Sequence, residues 1–322
     1  MNNLVDKARH LPLHPARQTI SISPVRLPVP GRSTPLELRI TTPADGGKRP
    51  VILLSHGMGP SLYIASKDGY GPLAHFLAEQ GFLVIQPTHA SSRVGGLPAN
   101  SPGAPLFWRE RVLEMKLVLD GLDTIEAEVP LLSGRLDHDR IAAVGHSMGG
   151  QTVGMLLGAR LSDPRDPDAQ DVDLSDKRIR AGVLLAAPGL GGDSLSEFAR
   201  ENYSALNPDF SHMTTPTLVV AGDADENPHL NVRGYAWHTD PFVHGPGAEA
   251  LLLLRGGKHG LGGIAGYDAK ETDDEDPDRL AATLRMTAAW LRTALGEDAD
   301  AWNAACRALA EQAPELGSVE RR

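Results

Sequence analysis

Cysteine is almost absent from this sequence, which has one, Cys306, among 322 residues. A disulfide framework within the chain and a cysteine-ligated metal centre are therefore excluded. Free cysteines usually pack as small apolar residues, and Cys306 stands in a segment with a helical pattern. We expect it to have a structural role.

Long hydrophobic runs and basic clusters are also missing. No stretch approaches the roughly 20 apolar residues that cross a bilayer, and the N-terminal segment lacks the apolar core of a signal peptide. The net charge of -10, without any block rich in lysine and arginine, argues against a nucleic-acid partner. These absences predict a cytoplasmic protein without a membrane span.

Apolar residues are abundant enough for one large core. Hydrophobic residues make up 41% of the chain and charged residues 22%, which is typical of a folded globular protein. We see no internal repeat. The pattern predicts a loose N-terminal arm over residues 1–17 and a single domain over residues 18–322.

The order of the apolar segments predicts the fold class. Two alternating segments, residues 19–29 and 36–43, have the pattern of an antiparallel strand pair. Short apolar runs then alternate with helical segments, which is typical of a mostly parallel sheet with helices on both faces. These runs are 51–54, 82–85, 141–144, 181–186, 217–220 and 251–254. Ligands in such α/β folds bind beyond the carboxyl ends of the strands.

Helix patterns lie between and after these runs. A helix is predicted from about 106 to 125, and C-terminal helices are predicted at about 277–311. The first C-terminal helix has Asp276 as a candidate N-cap and Pro277 at its first position. The irregular stretch at about 188–215 could form a small cap over a pocket.

A G-x-S-x-G motif follows the apolar run at 141–144. In Gly145-His146-Ser147-Met148-Gly149, the serine would occupy a sharp turn from a strand into a helix, with its hydroxyl exposed. The glycines allow the strand and the helix to approach closely. An ordinary glycine-rich turn is the alternative, but the flanking strand and helix patterns favour Ser147 as a nucleophile.

A serine nucleophile needs a base, and the base needs an orienting acid. Among 12 histidines, His259 follows the last apolar run between glycines and is our candidate base. His238 stands in the segment before that run, and we expect it to lie on the surface. Asp223 and Asp225 both follow the run at 217–220. We favour Asp225, because it lies further round the turn, and leave Asp223 as the alternative.

The oxyanion of a tetrahedral intermediate requires backbone N–H donors. One candidate is Met148, the residue after the nucleophile. The other is Met58 in the glycine-rich loop after the run at 51–54, with Gly57 as the second choice. A glycine-rich turn without such a role is the alternative.

The segments VILLSHGMG, AAVGHSMGG, TLVVAGDAD and GGKHG resemble, in this order, the signature segments of α/β-hydrolases. The resemblance covers roughly residues 18–296. More narrowly, the chain is similar to the group that contains dienelactone hydrolase, platelet-activating-factor acetylhydrolase and chlorophyllase. It departs from dienelactone hydrolase, which has a cysteine nucleophile, in having Ser147. The resemblance implies an α/β-hydrolase fold and a serine hydrolase.

Other features have weaker functional interpretations. Trp108, Phe198 and Tyr203 could line a substrate pocket, although ordinary packing is the alternative. The acidic run 272–276 lacks the ligand alternation of a calcium loop, and we expect neither a metal ion nor a cofactor. The predicted substrate is a small carboxylic ester. An amide, peptide or thioester substrate, or a non-catalytic binding protein on this scaffold, remains the alternative.

Overall fold

The computed structural model describes residues 4–58, 63–266 and 274–322. Within these ranges the chain alternates strands and helices, as the order of apolar runs predicts. The strands are β1 (Thr19–Leu27), β2 (Leu36–Pro43), β3 (Arg49–Ser55), β4 (Leu83–Pro87), β5 (Leu136–His146), β6 (Arg160–Leu161), β7 (Ile179–Leu185), β8 (Pro208–Asp209), β9 (Thr217–Gly222), β10 (Ala248–Leu254) and β11 (Gly317–Arg321).

Nine of these strands form one sheet in the order β1-β2-β4-β3-β5-β7-β9-β10-β11. The six central strands from β4 to β10 are parallel. At the edges, β2 is antiparallel to β4, β1 is antiparallel to β2, and β11 is antiparallel to β10. The predicted α/β class with a large, mostly parallel sheet is confirmed. The sequence pattern does not predict β11, because its GSVER segment has one apolar residue and is held by backbone pairing with β10.

Helices cover both faces of this sheet. They are α1 (Gly71–Glu79), α2 (Trp108–Asp120), α3 (Leu122–Glu128), α4 (Met148–Leu156), α5 (Glu197–Asn202), α6 (Asp240–His244), α7 (Pro277–Ala294) and α8 (Ala301–Gln312). One apolar layer contains residues of α1, α7 and α8, and the other contains residues of α2 to α6. No helix of the described residues has the length and apolar character to cross a membrane.

The predicted single helix at about 106–125 is in fact two helices, α2 and α3, which meet at Gly121. A Cβ atom at Gly121 would lie 3.1 Å from the side chain of Leu27 and 3.2 Å from the carbonyl oxygen of Leu117. The sheet therefore approaches the chain closely at this point, and a larger residue would require Leu27 to shift. This close approach is a tertiary contact, and the apolar periodicity of the sequence did not reveal it.

The N-terminal residues pack against α7 instead of forming a loose arm. Ala8 and Leu11 are buried, and residues 7–10 form a short 3-10 helix. The N–H groups of Asp6 and Ala8 donate to the Asp278 carboxylate, and Arg285 donates to the carbonyl oxygens of Ala8 and Leu11. The prediction is corrected for residues 6–11, whose two apolar side chains are too few to show a sequence pattern.

The turns at the carboxyl ends of the parallel strands all lie along the same edge of the sheet. Ser147 follows β5, Asp225 follows β9, and His259 follows β10. The stretch predicted as a possible cap, at about 188–215, begins after β7 at this edge. It contains α5 and β8, and β8 pairs with β6. Every predicted site residue from a strand end thus belongs to this edge.

Candidate active site

Ser147 occupies a strained backbone turn between β5 and α4. Its φ of 53° and ψ of -123° are unusual for a residue with a side chain, and its N–H donates to the Leu185 carbonyl oxygen at 2.9 Å. A Cβ atom at Gly149 would lie 2.0 Å from the carbonyl oxygen of Ser55, and one at Gly145 would lie 2.1 Å from that of Gly149. Glycine is therefore required on both sides of the serine.

Asp225 and His259 are brought together by the turns after β9 and β10. The Oδ2 atom of Asp225 lies 2.8 Å from Nδ1 of His259. Asp225 is buried, whereas one fifth of the His259 side chain is exposed. A carboxylate can only accept, so Nδ1 carries the proton, and Nε2 is the basic atom when the ring is neutral. This is the tautomer that a catalytic base requires.

The Asp225 carboxyl is favoured in its charged form. Burial by itself raises the pKa of Asp225, but the hydrogen bond from His259 and the nearby imidazoles outweigh this effect and leave the pKa below its ordinary value. A charged carboxylate in this position stabilises a protonated His259.

Asp223, the alternative acid, has a different partner. Its Oδ1 atom accepts a hydrogen bond of 2.6 Å from the Gly256 N–H, and its own N–H donates to the Leu254 carbonyl oxygen. Asp223 thus joins the ends of β9 and β10. The geometry favours Asp225 as the partner of His259, because only its carboxylate is hydrogen-bonded to the imidazole among the described residues.

A second imidazole, His238, also faces the Asp225 carboxylate. It is fully buried, with Nδ1 2.9 Å from the Ala187 carbonyl oxygen and Nε2 3.2 Å from Asp225 Oδ2. The carbonyl oxygen can only accept, so Nδ1 carries the proton. Burial lowers the pKa of His238, although the nearby Asp225 opposes this effect. His238 was expected to lie on the surface, and this expectation is wrong.

The loop that carries His259 is fastened by another buried acid. The Asp274 carboxylate accepts the N–H groups of Lys258 and Gly262 at 3.2 Å. Asp276, two residues later, accepts the N–H of Arg279 and caps α7 at the predicted position. Two acids of the run 272–276 thus serve the backbone, while Thr272 and Asp273 lie outside the described residues.

The loop after β3 lies directly against Ser147. A Cβ atom at Gly57 would be 3.2 Å from the Ser147 Cβ atom and 2.8 Å from the Tyr70 hydroxyl. The Gly57 N–H donates to Tyr70 Oη at 3.0 Å, so it is already engaged. This favours Met58 as the oxyanion donor of the loop. Met148 opens α4, where the first N–H groups have no acceptor within the helix.

The buried guanidinium of Arg111 holds the start of this loop through hydrogen bonds. Arg111 donates to the carbonyl oxygen of His56, to Ser55 Oγ at 3.1 Å and to Thr152 Oγ1 at 2.9 Å. Burial lowers the pKa of Arg111 to about 10, and the nearby Glu114 opposes this shift. Arg111 therefore remains a cation at neutral pH, and it ties the loop after β3 to α4.

The three candidate pocket residues have different surroundings. Trp108 is 8% exposed and belongs to the apolar core, with the Arg109 guanidinium 4.7 Å from its ring centroid. Phe198 in α5 is half exposed and meets Tyr203 edge to face, with ring centroids 5.7 Å apart. These contacts neither require nor oppose a pocket role, which stays a prediction.

Among the residues that the structure describes, two groups of side chains have ligand atoms close enough together for a metal ion. Asp225, His238 and His259 form one, and the partly exposed Asp123, Glu126 and His138 form the other. In the first group both imidazole nitrogens face the same oxygen, Asp225 Oδ2. The 2.8 Å contact between Asp225 Oδ2 and His259 Nδ1 has the length of a normal hydrogen bond, so this pair needs no ion to hold it together.

Sequence reasoning missed His238, Asp274 and Tyr70 as residues of this site. Each lies in a segment without a motif, and only the chain's tertiary packing brings it to the strand ends. No protein-family model matches the chain, and no curated protein matches its sequence. The functional interpretation therefore rests on the residues and geometry described above.

Proposed function

We propose that this protein is a serine hydrolase of the α/β-hydrolase fold that cleaves carboxylic esters through an acyl-enzyme. The observation that carries the proposal is the 2.8 Å hydrogen bond between Asp225 and His259, at the same sheet edge as the strained Ser147 turn. The buried acid, the partly exposed imidazole and the serine occur in the chain order expected for this fold.

Further support comes from contacts around the nucleophile. The carbonyl oxygen of His259 lies 2.7 Å from the side chain of His146, the residue before Ser147. Gly57 lies against Ser147 from the opposite loop. The strand order β1-β2-β4-β3-β5, followed by parallel strands, is also consistent with the proposed fold.

The proposed reaction has two halves. Ser147 Oγ attacks the ester carbonyl carbon while His259 Nε2 accepts the hydroxyl proton, and Asp225 stabilises the imidazolium that forms. The N–H groups of Met58 and Met148 donate to the oxyanion. The intermediate collapses to an acyl-serine, and His259 returns the proton to the leaving alcohol. Water then cleaves the acyl-serine by the same steps and restores the hydroxyl.

Ester turnover by the purified protein is the direct test. We expect hydrolysis of p-nitrophenyl esters in a series of increasing acyl length, because p-nitrophenolate is a good leaving group and needs little pocket complementarity. A matched p-nitroanilide and a matched thioester serve as controls for the acyl group. Faster cleavage of the anilide or of the thioester would change the assigned substrate class from esters to amides or thioesters. If the protein cleaves none of these substrates and is not labelled by a fluorophosphonate, the proposal that it is a serine hydrolase is wrong.

The pH dependence of kcat/KM tests the base. We expect one rise of kcat/KM with pH, because a histidine base is active only when neutral and activity is lost as pH falls. Burial, and to a smaller extent the nearby His259, lower the pKa of His146 to about 3. His146 therefore does not contribute to the pH dependence between about pH 5 and 8. The pKa of Asp225 is also lowered, so its carboxylate stays charged. A flat profile from about pH 5 to 8, with chemistry rate-limiting, would exclude a histidine base.

A further inference from the structure

A chain of hydrogen bonds joins the two loops that flank the nucleophile. Gly57 N lies 3.0 Å from Tyr70 Oη, Tyr70 Oη lies 2.6 Å from His146 Nδ1, and His146 Nε2 lies 2.7 Å from the carbonyl oxygen of His259. Gly57 precedes the candidate oxyanion donor Met58, and His146 precedes Ser147. This series of hydrogen bonds therefore connects the oxyanion loop, the nucleophile turn and the loop that carries the base.

The direction of every bond in this chain is determined. The carbonyl oxygen of His259 can only accept, so His146 carries its proton on Nε2. His146 is buried and neutral, because burial lowers its pKa to about 3. Its Nδ1 must then accept from the Tyr70 hydroxyl, whose oxygen accepts the Gly57 N–H. A neutral imidazole with this one proton position satisfies all of these contacts at once.

The backbone of Tyr70 is an independent sign that its position matters. Its φ of 58° and ψ of 28° place it in the left-handed region, which is costly for a residue with a side chain. Its N–H donates to the Ala265 carbonyl oxygen in the loop that follows His259. Both the main chain and the hydroxyl of Tyr70 thus connect with the loops of the site.

We propose that Tyr70 and His146 are positioning residues, which fix the oxyanion loop and the base loop relative to Ser147 through the chain from Gly57 to His259. The proposal rests on the proposed function. Neither side chain exchanges a proton with the substrate. Their role is to keep the Met58 N–H and the His259 imidazole aligned, since small displacements of catalytic groups lower the rate of the chemical step more than substrate affinity.

Tyr70→Phe removes the hydroxyl and keeps the ring, and Tyr235→Phe is the matched control. We expect Tyr70→Phe to lower kcat about 10- to 100-fold with little change in KM, whereas the control matches the wild type.

His146→Leu should lower kcat at least as much. His146→Gln should recover part of the loss, because its amide can still donate towards the carbonyl oxygen of His259. The double variant Tyr70→Phe/His146→Leu should be no slower than His146→Leu, because the series of hydrogen bonds from Gly57 to His259 is already interrupted in His146→Leu.

Amide hydrogen exchange tests the same chain without relying on activity. The Gly57 N–H should exchange about 10-fold faster or more in Tyr70→Phe, because it loses its acceptor, and the segment around His259 should exchange faster in His146→Leu. Unchanged exchange in both, or a kcat within about twofold of wild type in a folded Tyr70→Phe, would overturn the proposal. If the wild type cleaves no ester and binds no fluorophosphonate, the proposed function fails, and the positioning role fails with it.

Discussion

Replacing Ser147 with alanine is expected to abolish ester turnover, with kcat falling by at least about 10⁴, as in known serine hydrolases that lose the nucleophile. Alanine provides no oxygen for the acyl-enzyme. The fold should remain intact, since the turn geometry tolerates alanine and the tight packing involves Gly145 and Gly149 instead of the serine side chain. The melting temperature should therefore stay close to that of the wild type.

A fluorophosphonate probe separates loss of the nucleophile from a general loss of activity. The probe should label the wild type and the surface control Ser133→Ala, and it should leave Ser147→Ala unlabelled. Intact-mass measurement would show one adduct per chain. Labelling of Ser147→Ala at the wild-type level would mean that another residue is the nucleophile, and the proposed triad would be wrong.

Asp225→Asn should lower kcat by roughly 10³ to 10⁴, while Asp223→Asn keeps most of the activity. The reason lies in the shared oxygen of Asp225, which is close to both His259 Nδ1 and His238 Nε2. His238 has its proton on Nδ1, towards Ala187, so its Nε2 can only accept. The asparagine side chain would therefore place its NH₂ group, and not its oxygen, where Asp225 Oδ2 stands. That amide would also donate to His259 Nδ1 and would force the proton onto Nε2, where the base is inactive.

The neighbouring aspartate is a matched control for this change. Asp223 accepts a backbone N–H through Oδ1, and an asparagine oxygen can accept the same bond. Its replacement should therefore cost little activity and only a small amount of stability. Steady-state kinetics and thermal melts of both variants decide the assignment. The reverse pattern would make Asp223 the acid, and full activity in both variants would mean that the acid lies elsewhere.

Much of the candidate site is predictable because its parts are local in sequence. The G-x-S-x-G motif between a strand pattern and a helix pattern predicts a tight turn, since two glycines are needed within five residues for the strand and the helix to approach. The structure has this turn, with φ of 53° at Ser147. His259 and the Asp223/Asp225 pair could be chosen because each directly follows an apolar strand pattern, and strand ends lie at one edge of a parallel sheet.

The sequence by itself thus determined the α/β class, the alternation of strands and helices, and a short list of candidates at the strand ends. Tertiary structure decided which candidates meet. It paired His259 with Asp225, 34 positions away, and added the buried His238 to that carboxylate. It also joined Tyr70 to His146 across 76 positions. Turns and periodic patterns depend on near neighbours along the chain, whereas these contacts depend on how the loops pack after the sheet has formed.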